Sequence, residues 1–200
     1  MSLVIILVLI VLCAAAFMFF FREKKTIQKT ETVVGLTIEN VKKGAALSFT
    51  GIGPQLLDFD AIVEKRHTYK EGSVTWFELE CMAGGATYWL EVVPGEDKKL
   101  SVTYKKVSLE DIKVSAGDLY EMDENETGTI RYNSIEYSYV DSGEAMYLED
   151  SLEDKAEGYY YWDFESKESK QYINIEKWSD GKFDVSLAEP VNESQITIFS

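Results

Sequence analysis

Two five-residue segments, Trp76-Phe77-Glu78-Leu79-Glu80 and Tyr161-Trp162-Asp163-Phe164-Glu165, match in character at every position with a spacing of 85 residues. Each alternates aromatic or aliphatic residues with acids, and side chains alternate between faces only in an extended strand, so each predicts one apolar and one acidic face. The same spacing relates Leu90-Glu91 to Ile175-Glu176 and Leu100-Ser101-Val102 to Val185-Ser186-Leu187. Nearer the start, Leu36-Thr37-Ile38-Glu39-Asn40-Val41-Lys42 returns as Val107-Ser108-Leu109-Glu110-Asp111-Ile112-Lys113, with a spacing of 71. A body built twice is expected. The change in spacing places about fourteen extra residues in the second copy, at loops near 123–128 and 149–158, since loops absorb insertions and strands do not.

Each copy opens with Thr37 or Ser108 followed three residues later by Asn40 or Asp111, a pattern that caps one short helical turn. Strand patterns follow at 73–81 and 88–93, joined through Gly84-Gly85, and again at 159–165 and 172–178, joined through 166–169. Pro94-Gly95 and Asp180-Gly181 mark the next turns, and only 56–64 has a helix-like run. The expected fold is all-β: two tandem, related antiparallel meanders at 36–105 and 106–200, forming a sandwich or a barrel as one fused domain.

Ahead of this body, residues 1–22 read as one transmembrane helix and 23–35 as a basic collar and linker. The apolar run from Leu3 to Phe21 has nineteen residues, about 28 Å of helix, against a hydrocarbon core of roughly 30 Å. No basic residue precedes the run, and Phe19, Phe20 and Phe21 close it, so the pattern is that of an uncleaved anchor. Leu12 before Cys13 stands where a lipidation site needs a small residue, so Cys13 reads as a packing residue. Arg22, Lys24, Lys25 and Lys29 follow the run, which predicts an outside amino terminus and a cytoplasmic body. On that side the sequons at Asn125 and Asn192 are ordinary polar residues.

Lys and Arg total 20 against 35 Asp and Glu, a net charge of −15 that disfavours nucleic acid and anionic headgroups as partners for the body. The two cysteines, Cys13 and Cys81, cannot form a disulfide within the body, so the fold must rest on its core.

The Trp76-x-Glu78 strand, Trp89-Leu90-Glu91, and Ile175-Glu176-Lys177-Trp178 followed by Asp180-Gly181 resemble the bacterial domain of unknown function 4178 (DUF4178) family. The likeness spans about 36–198 and includes Glu144-Ala145 ahead of 159–165; the acidic stretch 123–128 departs from it. The resemblance implies a bacterial β-domain often found near membrane-associated or envelope-stress and polyamine-related genes, and it brings no catalytic activity.

Few constellations carry chemistry. His67, the one histidine, reads as an exposed residue at a strand end beside Arg66, its counterpart falling near Glu144. Cys81 reads as a buried or half-buried thiol. Asp123, Asn125 and Thr127 with Gly128 follow the first positions of a calcium loop, but Ser134 stands where the bidentate glutamate belongs, so a surface turn is expected and these three are only weak metal candidates. Glu80 and Glu165 are weak catalytic candidates, useful to a hydrolase only if the two copies brought them across a cleft. Trp76, Glu78, Trp89, Glu91, Tyr161, Asp163, Glu176 and Trp178 share the acidic side of their strands and form the expected binding surface, suited to a cationic or polar ligand or a protein partner. The function expected is a non-enzymatic, cofactor-free binding module at the cytoplasmic face of the membrane. The alternatives are a hydrolase using paired carboxylates and an outward-facing carbohydrate-binding module.

Overall fold

A computed structural model describes residues 37–168 and 170–199. The expected anchor and linker lie outside the described residues, among which no helix is long and apolar enough to cross a membrane.

Eleven antiparallel strands form one sheet: β1 (Ala46–Ile52), β2 (Leu57–Glu71), β3 (Val74–Ala83), β4 (Ala86–Val93), β5 (Lys99–Val107), β6 (Thr129–Tyr132), β7 (Ile135–Leu148), β8 (Ala156–Glu165), β9 (Tyr172–Trp178), β10 (Phe183–Pro190) and β11 (Ile196–Phe199). Their order is β11-β1-β2-β3-β4-β5-β10-β9-β8-β7-β6. A further pairing of Thr68, Tyr69 and Lys70 in β2 with Leu148, Tyr147 and Met146 in β7 joins the meander β2–β5 to the meander β7–β10 at their second seam. Eight strands thus form a closed ring, which leaves no free edge within it. β2 and β7 are the longest strands, and each has a register irregularity, at Val63/Lys65 and at Tyr139/Asp141. Such bulges bend a strand and increase its twist, so one strand can pair within the ring and also carry an outer hairpin partner.

Alternation sends the apolar residues outward from the ring, where other elements cover them. Phe77, Leu79 and Cys81 of β3 and Leu90 and Val92 of β4 pack with Leu47, Phe49 and Ile52 of β1 and with Ile38 and Val41 near a short 3₁₀ turn. Trp162 and Phe164 of β8, Ile173 and Ile175 of β9 and Val185 and Leu187 of β10 pack in a second cluster with Ile130 of β6 and Leu119 of helix α1 (Ala116–Glu124). Each meander therefore has its own core on its outer side.

Helix α1 is the main departure from the expected strands-only body. It starts at Ser115, whose hydroxyl accepts from the Asp118 backbone N–H while Asp118 accepts from the Ser115 N–H, a reciprocal cap that the sequence carries but alternation does not reveal. The expected loop at 149–158 holds two 3₁₀ turns and gives way to β8 at Ala156. The helix-like run at 56–64 is strand.

Candidate functional site

The ring's inward side chains are polar and aromatic. Two adjoining cavities of about 290 and 300 Å³ share Tyr69, Glu78, Thr103, Glu176 and Ser186, and all eight ring strands contribute to the lining of the larger one. All eight residues of the expected binding surface line one or both cavities: Trp89 and Trp178 the first, Trp76, Glu91, Tyr161 and Asp163 the second, and Glu78 and Glu176 both. The expected outer acidic face is thus an interior one, because ring closure turns toward the cavity the side that a flat sheet would show to water.

Four carboxylates dominate this interior. Glu78 accepts from the Tyr69 hydroxyl at 2.9 Å, Glu91 from the Ser101 hydroxyl at 3.2 Å, and Asp163 from the Asn174 amide at 2.8 Å. Glu176 receives no hydrogen bond and no ion pair from any described residue. None of the four forms a salt bridge within the described residues. Burial, with mutual repulsion second, pushes the Glu78 carboxyl up to about 8 and that of Glu91 to about 7. Burial likewise raises Asp163 to about 6 and Glu176 to about 7. Around them stand stacked rings: Tyr69 on Trp76 at 5.5 Å, Tyr159 on Trp178 at 5.1 Å, and Tyr147 edge-on to Trp178 at 5.3 Å.

His67 belongs to this site and corrects the expectation of an exposed residue: it is 3% exposed, in the middle of the long β2. Its Nδ1 receives the Asp150 backbone N–H at 3.3 Å and lies 2.8 Å from the Tyr147 hydroxyl, while Nε2 is 3.3 Å from Glu80. A backbone donor on Nδ1 fixes the proton on Nε2, which donates to Glu80. Burial lowers the imidazole's pKa and keeps it neutral. Glu80 also pairs with Lys65 at 3.7 Å. Glu80 lines the smaller cavity, whereas Glu165 lines neither, so these two weak catalytic candidates do not share a cleft.

The weak metal candidates serve packing. Asp123 closes α1 onto the sheet by accepting from Tyr160 at 2.8 Å and from Ser142, Asn125 caps the helix, and the Thr127 N–H bonds to the Met122 carbonyl. A helix, not the expected strand, precedes this stretch. Among the described residues no group of three His, Cys, Asp or Glu is placed to hold a metal ion. Cys81 is fully buried, and burial pushes its thiol up to about 12, the state of an inert core residue.

Sequence reasoning missed Tyr69, Tyr147, Tyr159, Thr103, Asn174 and Lys106, all of which line the cavities. A signal existed for Tyr159, which keeps the parity of Tyr161 and Asp163, and for Tyr69, which keeps that of His67 and Glu71.

These features define a closed antiparallel β protein with an acidic, aromatic-walled interior. The chain belongs to the family described as Domain of unknown function (DUF4178), whose model matches residues 59–193. That span takes in nearly all of β2 and every other ring strand, and leaves out β1 and β11. No curated protein and no solved structure matches the chain.

Proposed function

We propose that this chain is a membrane-tethered, non-enzymatic binding module whose ring encloses a small organic cation. The observation that carries this reading is that none of the four interior carboxylates Glu78, Glu91, Asp163 and Glu176 forms a direct ion pair among the described residues, and that no Lys, Arg or His lines the larger cavity. Buried carboxylates stay protonated or find a positive charge, and a cavity walled by Trp and Tyr rings favours a charge carried on an organic group over a bare ion. The two meanders read as related copies closed into a barrel. The matching order of the strands in the two meanders, with Glu78 opposite His67 on β2 and Asp163 opposite Asp141 on β7, supports that reading.

Isothermal titration of the full-length chain in detergent with tetramethylammonium and short alkylamines tests the ligand class. Micromolar to millimolar binding that is weakened in Glu91→Gln supports it; no binding of any amine, with thermal stability unchanged across the panel, overturns it. The apolar run at 3–21 and the basic flank after it support a tether with the body on the cytoplasmic side. Digestion of the body by protease added to intact spheroplasts reverses that orientation and revives the outward-facing alternative.

A further inference from the structure

The two cavities differ in their cations. The larger is lined by Glu71, Glu78, Glu91, Asp141, Asp163 and Glu176 and by no Lys, Arg or His. The smaller contains Lys106, whose ammonium lies 4.4 Å from the centre of the Trp89 ring and 3.2 Å from Asp184. An ammonium over an indole face beside a carboxylate is the arrangement an aromatic cage offers a bound cation. Here the protein itself supplies the cation.

We propose that Lys106 is a resident cation filling one of two cation positions, so that the ligand brings a single ammonium group to the Lys-free end and an uncharged polar tail toward Lys106. This inference rests on the organic-cation reading above and specifies which cation. The head would sit between Glu91 and Asp163, and the tail would reach the Thr103 and Ser186 hydroxyls shared by both cavities. The charge distribution agrees. Lys106 acts on Glu78 and Glu176, whereas no cation acts on Asp163, and Glu91 feels only Lys99, which lies outside the lining. The remaining charged groups at the Lys106 end are Glu80 and Asp184, with neutral His67 bonded to Glu80. A second ammonium on the ligand would meet Lys106 at close range, where like charges repel.

The test is calorimetric titration of the full-length chain in detergent at neutral pH with aminopentanol and with diaminopentane, which differ only in the tail group. The wild type is expected to bind aminopentanol about tenfold or more tighter than diaminopentane, and Lys106→Met to reverse that order. Lys106→Arg, which keeps the charge, should retain the wild-type preference. The Lys106 side chain is 40% exposed, so both variants should fold, as thermal unfolding checks. A wild type that prefers the diamine, or a preference unmoved in Lys106→Met, overturns the role of Lys106 and leaves the binding module standing. If neither amine binds either protein, the organic-cation reading fails and this inference fails with it.

Discussion

At one end of the interior the acids face bases: Glu80 meets His67 and Lys65, and Asp184 meets Lys106. At the other end Glu71, Asp163, Glu91 and Asp141 meet neutral donors: the Tyr161 hydroxyl, the Asn174 amide, the Ser101 hydroxyl and the Ser142 backbone N–H. The scaffolds of the two ends correspond. His67 lies opposite Glu78 across β2 and β3, and Asp141 lies opposite Asp163 across β7 and β8. The exchange of His67 for Asp141 on matching strands, together with Lys65 and Lys106 at the first end, leaves the bases at one end of the interior and only neutral donors at the other. The first end is closed by its own bonds, and in the function proposed above the second is the end that receives the ligand's charge.

The largest effect should come from the acid end. The double variant Glu91→Gln, Asp163→Asn should weaken amine binding about a hundredfold or more, since losing a buried charge partner costs about 3 kcal/mol. Glu80→Gln, at the end supplied with bases, should change it by less than about threefold. Titration of both variants decides; equal losses would erase the distinction between the ends.

Next in size is the pH dependence of stability without ligand. Glu78, Glu91, Asp163 and Glu176 have folded values raised to about 8, 7, 6 and 7, so between roughly pH 4.5 and 8 the folded state binds more protons than the unfolded one. Stability is then greatest near the unfolded carboxylate pKa and falls as pH rises through the folded values. His67 has the opposite sign, because its lowered value costs stability as pH drops below its unfolded 6.5, but it is one group against four. Urea denaturation at mildly acidic and mildly alkaline pH measures the slope, and a protein more stable on the alkaline side would contradict the burial of these acids. A bound amine should flatten the slope, because it holds the carboxylates ionised.

A smaller change is expected at the end supplied with bases. Tyr147→Phe removes the hydroxyl 2.8 Å from His67 beside the β2–β7 seam and should cost about 1 kcal/mol in urea denaturation, with amine affinity unaltered. Smallest of all is Glu165→Gln, which touches neither cavity and should stay within about 0.5 kcal/mol of wild type with unchanged amine binding. A loss of amine binding in that variant would restore the idea of paired work by Glu80 and Glu165.

Much of the candidate site was legible because side-chain parity is a local property. Trp76, Glu78 and Glu80 fall on one side of β3, and Phe77, Leu79 and Cys81 on the other, whatever the strand pairs with. The hairpin glycines and the Thr37 and Ser108 turns were equally readable, since their chemistry spans only a few residues. Helix α1 was hidden because its apolar side rests on few residues, Leu119 alone being buried, and its cap reads as well for a turn. His67 was misread because β2 lacks clean alternation, and its burial comes from Tyr147 and Asp150, eighty or more residues away.

Strand content, the two-faced character of those strands and the set of acids and rings that keep company follow from residue order alone. Which face is inside does not. That choice rests on a three-residue pairing between β2 and β7 and on outer cores supplied by β1, β6 and α1, contacts between segments far apart in the chain. Those long-range contacts make the acidic side a cavity wall, where the half-buried Glu78, Glu91, Asp163 and Glu176, which on an open sheet would merely keep it soluble, acquire raised pKa values.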